Sequence, residues 1–363
     1  MAAKRRVTTK IIAEYIGMSQ STVSMILNNK PHVSFSQETR DKVLKAAEKL
    51  GYEKKRKAPI LKDQLLNDTL MVICPILSNC YYTMMIHSIA ERAQEYGYTT
   101  FVAPTMRDAS IEEHYLQMFS HLNICGVIYL YPPAMVQEAN KLSSIVPIVS
   151  IGDKPPDSSF DSVELDSKKP GYLIGEHLIS LGHTHVTYVS TPINEKEIGR
   201  MYRLKGIQKA FRKHGYPIEH VEVVSPDFAT YSGYPANTSE FSNGYDLTVK
   251  VLDNHTKSTA FIGNNDMTAF GIMSALSDRG YRIPQDYSVC GFDNINLSSM
   301  PQISLTTIEH ASELKGREAV DIIYRKNMTK KKTGGSKYNY IMRLEYEPEL
   351  IIRNSSGKCR KKS

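Results

Sequence analysis

The chain has 363 residues, 41% hydrophobic and 23% charged, with a formal net charge of +7. That composition suits a soluble globular protein of one small module plus about two ordinary domains. No apolar run approaches the ~20 residues of a membrane span, and the opening M-A-A-K-R-R-V is followed by no signal-peptide core, so the expected location is cytoplasmic.

The five cysteines, Cys74, Cys80, Cys125, Cys290 and Cys359, are odd in number and form no Cys-x-x-Cys pair. They read as buried thiols in a reducing compartment rather than as a metal site. Charge is unevenly placed. Residues 1–68 hold 14 Lys+Arg against 7 Asp+Glu, while residues 69–363 hold 31 of each. The entire formal excess therefore sits at the front of the chain, which calls for a polyanionic partner there.

The first elements are two short helices around a tight turn. Thr8 caps the first, Ile12 and Ile16 bury on one side, Gly17 turns the chain, and Ser19 caps a second helix, Gln20 to Asn28. Small Ala13 lets the helices approach closely. On a helical wheel Val23, Ile26 and Leu27 share the inner face, and Ser21, Met25 and Asn28 point the other way. A short helix with a pinned apolar side and a small polar side suits a DNA major groove; an ordinary helical hairpin would share these features. After the turn N-K-P-H, Ser36 caps a third helix from Gln37 to Leu50, with Val43, Ala47 and Leu50 on one stripe and Gly51 as its stop.

Those residues, V-T-T-K-I-I-A-E-Y-I-G-M-S-Q-S-T-V-S-M-I-L-N followed by V-S-F-S-Q-E-T-R-D-K-V-L-K-A-A-E-K-L-G-Y, resemble the headpiece of the lactose-repressor (LacI/GalR) family of bacterial transcription regulators. Thr8 belongs to the same DNA-facing stretch. The resemblance places Ser19, Thr22 and Asn28 at phosphate-holding positions and Gln20, Ser21 and Met25 at base-reading ones. Met25 stands where the family usually has arginine and offers only apolar contact, for example to a thymine methyl. Glu53 to Asp68 is a basic linker containing K-K-R-K. The family reading makes it a hinge helix with Leu61 wedged in the minor groove; the plainer reading is a solvated tether. Pro59 costs about 3 kcal/mol inside a helix and is harmless only in its first turn.

From Thr69 strands and helices alternate. T-L-M-V-I-C-P, T-T-F-V-A, G-V-I-Y-L and P-I-V-S-I-G read as strands, with helices at Tyr82–Gly97 and Ile111–His121. The alternation restarts after Ser162: helices Pro170–Leu181, Arg200–His214, Gly244–Asp253 and Asp266–Arg279 surround V-T-Y-V-S, V-E-V-V, T-A-F-I-G and Y-S-V-C-G-F. Such alternation means parallel sheets covered by helices, with ligands beyond the carboxyl ends of the strands. L-I-S-L-G-H-T-H-V-T-Y-V, R-L-K-G, G-N-N-D-M-T-A-F-G, S-V-C-G-F-D-N and L-T-T-I resemble the same family's core, in the same order.

The expected fold class is thus a three-helix helix-turn-helix headpiece followed by a periplasmic-binding-protein-like α/β core of two doubly wound parallel-sheet lobes. The expected domains are a headpiece at 1–52, a hinge at 53–68, a core at 69–352 and a basic tail at 353–363. Lobe 1 takes about 69–165 and 295–325, and lobe 2 about 166–294 and 326–352.

By resemblance, Arg203, Asn265 and Asp293 are the main effector-binding positions, and convergent Arg, Asn and Asp groups suit a polyol. His310 stands where the family often has glutamine. Tyr81 and Tyr82 either stack on a sugar face or pack under the following helix. Asp266 reads as a cap for the helix it starts. Gly152 stands where the family often has an acidic contact, and the sequence leaves open whether neighbouring Asp153 replaces it. Asp227 to Asn243 looks like an insertion.

The implied function is a sequence-specific transcriptional regulator, most simply a repressor. It would be a homodimer on a pseudo-palindromic operator, controlled by a small effector such as a sugar or sugar phosphate between the lobes. No cofactor is expected. A sugar-processing enzyme or a carbohydrate-binding protein on the same core is the alternative. No phosphate-binding Gly-rich loop, Gly-x-Ser-x-Gly elbow or metal spacing supports catalysis, and His177, His183 and His185 look structural.

Overall fold

The computed structural model describes residues 7–27, 35–50, 52, 67–153, 157–164, 166–193, 198–233, 238–332 and 340–360. The chain divides into two compact units, Met1–Lys62 and Asp63–Ser363.

The first unit holds α1 (Thr9–Ile16), α2 (Gln20–Leu27) and α3 (Gln37–Lys49). Each start follows from a hydroxyl side chain accepting an otherwise orphan N–H. Thr8 Oγ1 accepts from Ile11 N at 3.4 Å, Ser19 Oγ from Thr22 N at 3.1 Å, and Ser36 Oγ from Thr39 N at 3.2 Å. Gly17 ends α1 at φ 68°, left-handed backbone that glycine adopts without a Cβ clash. Ile12, Ala13, Val23, Ile26, Val43, Ala46 and Ala47 form the core, with Leu27 and Leu50 packed at its edge. Asn28, Gly51 and the Glu53–Asp68 linker up to residue 66, including Pro59 and Leu61, lie outside the described residues.

The second unit begins with β1 (Thr69–Cys74), α4 (Cys80–Glu95), β2 (Thr99–Pro104), α5 (Ala109–Ser120), β3 (Gly126–Tyr129), α6 (Val136–Ser143), β4 (Ile148–Gly152) and β5 (Asp161–Glu164). It continues with α7 (Lys168–Ser180), β6 (Val186–Val189), α8 (Ile198–Lys213), β7 (Val221–Val224), α9 (Phe228–Ser232), α10 (Ser239–Asp253), β8 (Ala260–Gly263), α11 (Asp266–Asp278) and β9 (Ser288–Cys290). The last elements are β10 (Thr307–Glu309), α12 (Ser312–Lys332), β11 (Arg343–Glu345) and β12 (Glu349–Ile351). Two parallel sheets result. One has the order β11-β5-β4-β3-β1-β2 and the other β7-β6-β8-β9, while β10 and β12 make an antiparallel ribbon. Strands buried along their whole length, such as β1 and β6, are what helices on both faces of a parallel sheet require.

The lobe boundaries differ from those expected. Leu305 and Ile308 bury in the cores of the second lobe, so 295–310 belongs there and not with the first. Ala319, Val320, Ile322 and Ile323 of α12 fill the core of the first lobe, and β11 pairs with β5. Residues 326–332 and 340–345 therefore belong to the first lobe, and the chain returns to the second at β12. Strands of three residues carry too little periodicity to mark these crossings. The expected basic tail also needs correction over 353–360. Ser355 Oγ donates to Val289 O at 2.6 Å, Val289 N donates to Ser355 O at 2.7 Å, and Cys359 N donates to Leu181 O at 2.8 Å. That segment is laid along the second lobe.

Helix packing in the second lobe rests on glycine. A Cβ at Gly171 of α7 would lie 1.9 Å from Arg203 O, and one at Gly206 of α8 would lie 2.1 Å from Lys168 O. Gly244 of α10 meets Thr268 O of α11 in the same way, at 2.3 Å. In the stretch read as an insertion, Phe228–Ser232 is helical and Ser239–Asn243 already belongs to α10.

Candidate functional site

Arg203 is the centre of the cleft between the lobes. It projects from α8, and its Nη1 donates to the Asn264 carbonyl at the end of β8. Nη2 donates to Asp293 Oδ1 at 3.3 Å and to His310 Nε2 at 3.4 Å, and the guanidinium lies 4.7 Å from the Phe292 ring centre. A guanidinium can only donate, so His310 Nε2 accepts and the imidazole is neutral. Burial, then Arg203 and Lys315, hold its pKa well below the usual histidine value. Asp293 follows β9 at φ 118°, a strained angle for a non-glycine residue, with its N–H donated to Ile308 O. Burial pushes its carboxyl well above the ordinary range, against the pull of Arg203.

From the first lobe, Tyr81 at the head of α4 meets His310 edge-on with ring centres 6.4 Å apart, and Tyr82 at 5.2 Å. Asn79 Nδ2 donates to Glu240 Oε2 of α10 at 2.7 Å, bridging the two lobes. Asp153 accepts from Ser167 Oγ at 2.7 Å, and its own pKa is raised by burial.

Four of the five expected effector residues, Tyr81, Arg203, Asp293 and His310, are therefore brought together. Asn265 is adjacent, but its side chain caps α11, accepting from Thr268 N at 2.9 Å. The cap expected of Asp266 falls to Asn265 because it is Asn265 that has extended backbone, φ −153° and ψ 177°. Asp266 is fully buried and accepts from Ile295 N, Ser298 Oγ and Thr307 Oγ1, and burial pushes its pKa up to about 6. It fastens the α11 start to the segment that leads to β10. Several cleft-side polar atoms escaped the sequence reading. Ser190 Oγ, Asn243 Oδ1, Ser312 Oγ and Lys315 Nζ are buried with no hydrogen-bond partner among the described residues, as are Arg203 Nε and His310 Nδ1. Only Lys315 left a trace in sequence: it begins the helical stripe that continues as Ala319, Ile322 and Ile323.

In the first unit, Gln20 and Ser21 are exposed on α2 and Thr22 and Met25 are half-buried. Ser19 Oγ lies 2.8 Å from both Ser21 Oγ and Thr22 Oγ1, and Gln20 Nε2 donates to Thr9 Oγ1 at 3.4 Å. Thr8 and Ser19 are thus both caps and surface hydroxyls. Ser19→Ala should lower the stability of the three-helix unit by about 1 kcal/mol, read as a shift in its urea midpoint. An unchanged midpoint would show that the cap contributes nothing.

The molecule combines a small helix-turn-helix unit, in the segment that carries the chain's excess positive charge, with a two-lobed α/β unit whose lobes meet at a buried polar cluster. This is the class of DNA-binding regulators with a ligand-binding core. Residues 8–54 match the model for bacterial regulatory proteins of the lacI family, and residues 176–356 match that for a periplasmic-binding-protein-like domain. The chain thus carries a lacI-family DNA-binding domain followed by a periplasmic-binding-protein-like domain. It is 29% identical over 351 residues to the HTH-type transcriptional repressor PurR of Haemophilus influenzae, covering 96% of this chain and 98% of that one. It is 28% identical over 350 residues to the regulator DegA of Bacillus subtilis, covering 95% and 97%. Among solved structures, the lac repressor bound to ONPG matches with a TM-score of 0.64 at 25% identity, over 97% of this chain and 100% of that one. A LacI-family regulator from Enterococcus faecium with bound ribose matches with a TM-score of 0.66 at 22% identity, over 80% and 100%. These curated relatives are transcription regulators, not enzymes.

Proposed function

We propose that the chain is a repressor that binds a pseudo-palindromic operator as a homodimer, and that a sugar-type ligand held between the lobes sets its operator affinity. The observation that carries this reading is the buried polar cluster where the lobes meet. Arg203, Asp293 and His310 are buried and mutually oriented, and Arg203 Nε and His310 Nδ1 make no hydrogen bond among the described residues, which is what a ligand rich in hydroxyl groups would complete. Ribose in the Enterococcus faecium regulator and cellobiose in the regulator CelR are bound by proteins of this fold.

The proposed ligand contacts are Tyr81, Arg203, Asp293 and His310, with the Asn265 amide nitrogen. The proposed DNA contacts are Thr8, Ser19, Gln20, Ser21, Thr22 and Met25, together with Asn28 and Leu61. The headpiece runs to residue 52, the hinge from 53 to 68. Ligand would act by favouring one lobe arrangement, and a coupling of about 1–3 kcal/mol would be ordinary.

The test is a thermal-shift screen of sugars and sugar phosphates, followed by operator titration with each hit. A hit that changes operator affinity fivefold or more supports the reading. Operator affinity should also fall with salt, by about 0.9 log units per phosphate contact for each log of salt. Affinity independent of salt, or hits that leave DNA binding untouched, would sink it.

A further inference from the structure

Lys315 sits in the first turn of α12, where the chain passes from the second lobe into the first. It is fully buried, and its Nζ has no hydrogen-bond partner among the described residues. An ammonium ion stranded in this way is costly, and proteins keep such groups where something binds.

Charged groups face it from both lobes: Asp153 after β4 and Glu345 of β11 from the first, Glu309 of β10 and Arg203 of α8 from the second. Each of these has a partner elsewhere. Asp153 accepts from Ser167. Glu309 accepts from Asn294 Nδ2 at 2.8 Å and Ala311 N at 2.7 Å. Glu345 lies 3.6 Å from Lys169 Nζ, and Arg203 is paired with Asp293. Asp153, Glu309 and Glu345 draw the Lys315 pKa up through space, yet none of their oxygens makes a hydrogen bond with Nζ. One turn before it, Ser312 Oγ is likewise buried and unpartnered. Burial lowers the Lys315 pKa to about 8, so the group is still mainly charged at pH 7.

We infer that Lys315 is a ligand-binding residue and that the molecule held between the lobes carries an acidic group, a carboxylate or a phosphate, which Lys315 and Ser312 receive. This deepens the reading of the cleft as a sugar site and rests on it: the ligand becomes an acidic sugar, a sugar acid or a sugar phosphate. A neutral hydroxyl could accept a hydrogen bond from Nζ, but an anion accepts a charge-assisted one, about twice as strong.

The test uses the full chain and Lys315→Met, which preserves length and removes the charge. Matched probes are D-glucose, D-galactose and D-ribose, their uronic or aldonic acids, and their terminal phosphates, with succinate and inorganic phosphate as anions that are not sugars. At least one acidic sugar should bind tenfold or more tighter than its neutral parent. Lys315→Met should erase that preference, lowering affinity for the acid at least tenfold more than affinity for the neutral parent. The carboxylate and phosphate arms separate the two kinds of acid. Neutral sugars bound as well as their acids would overturn the inference and leave the sugar reading standing. Binding of succinate or phosphate through Lys315, with no response to any sugar, would do the reverse. No response to any acidic probe overturns it.

A second readout needs no ligand. Without ligand, Lys315→Met should raise the thermal midpoint at pH 7 by about 3 °C or more. The folded pKa of about 8 lies below the ordinary 10.5, so the unfolded wild-type chain holds more protons between those values. Wild-type stability then rises with pH across that window, and the advantage of the variant should shrink toward zero. A variant less stable than the wild type at pH 7 would make Lys315 a structural residue.

Discussion

Arg203→Ala is expected to lower the thermal midpoint of the two-lobed unit by about 6–10 °C and to abolish its response to every sugar that shifts the wild type. The side chains of Arg203 and Asp293 are only 13% and 7% exposed, so the loss is that of a buried pair, about 3–5 kcal/mol. At about 2 °C per kcal/mol for a unit of this size, that gives the stated range. The origin of the loss can be separated from the loss of contacts. With Arg203 gone, Asp293 is a buried carboxylate without its cation. Burial already raises its pKa, and removal of Arg203 raises it further. The folded variant then holds a proton that the unfolded chain releases, so its stability falls as pH rises from the unfolded value of about 3.8 through the folded one. The deficit relative to the wild type should grow with pH across the interval between the wild type's folded value and the variant's higher one. The double variant Arg203→Ala/Asp293→Ala should recover part of it, since the orphaned charge leaves as well. A double variant as unstable as the sum of the singles would show that contacts with Asn264 and Phe292, not charge, are what Arg203 supplies.

Much of this site could be read from the chain, and what could not has physical causes. The headpiece was legible because its information is local: a hydroxyl before each helix, a glycine at the turn and apolar residues at helical spacing are each sufficient alone. Arg203 and Asp293 were legible by resemblance, and their pairing is a tertiary fact that no spacing states. Asn265 and Asp266 exchanged roles because two adjacent residues can both cap, and only the backbone angles decide between them. Lys315 was passed over, despite lying on the apolar stripe of its helix, because a lysine in a charged helix ordinarily points to water. Its burial depends on α12 entering the first lobe, the crossing that the three-residue strands β10 and β11 concealed. The errors thus cluster where the chain changes lobe, and the ligand cleft is built there.

Gly206→Ala gives opposite predictions from local and from tertiary reasoning. Glycine inside a helix costs about 1 kcal/mol relative to alanine, so a reading of α8 alone expects stabilisation. The packing of α8 on α7 expects the reverse. The new Cβ would lie 2.1 Å from Lys168 O and 2.7 Å from Tyr172 N, both backbone atoms that no rotamer change can move. Its counterpart Gly171 meets Arg203 O across the same crossing, so neither helix has room to yield and the pair must separate. Overpacking costs about 1–3 kcal/mol where side chains can adjust; here the cost should reach at least about 3 kcal/mol, a fall of about 6 °C or more. Gly206 lies one turn beyond Arg203, so the separation also draws the guanidinium away from Asp293 and His310, and ligand affinity should fall more than tenfold. Gly215→Ala is the comparison. Its φ of +80° is strained for alanine, but nothing lies within 4 Å of the added carbon. It should lose only about 1–2 kcal/mol and keep its ligand. If Gly206→Ala is instead the more stable chain, α7 and α8 do not approach as closely as described, and the placement of Arg203 in the cleft loses its support.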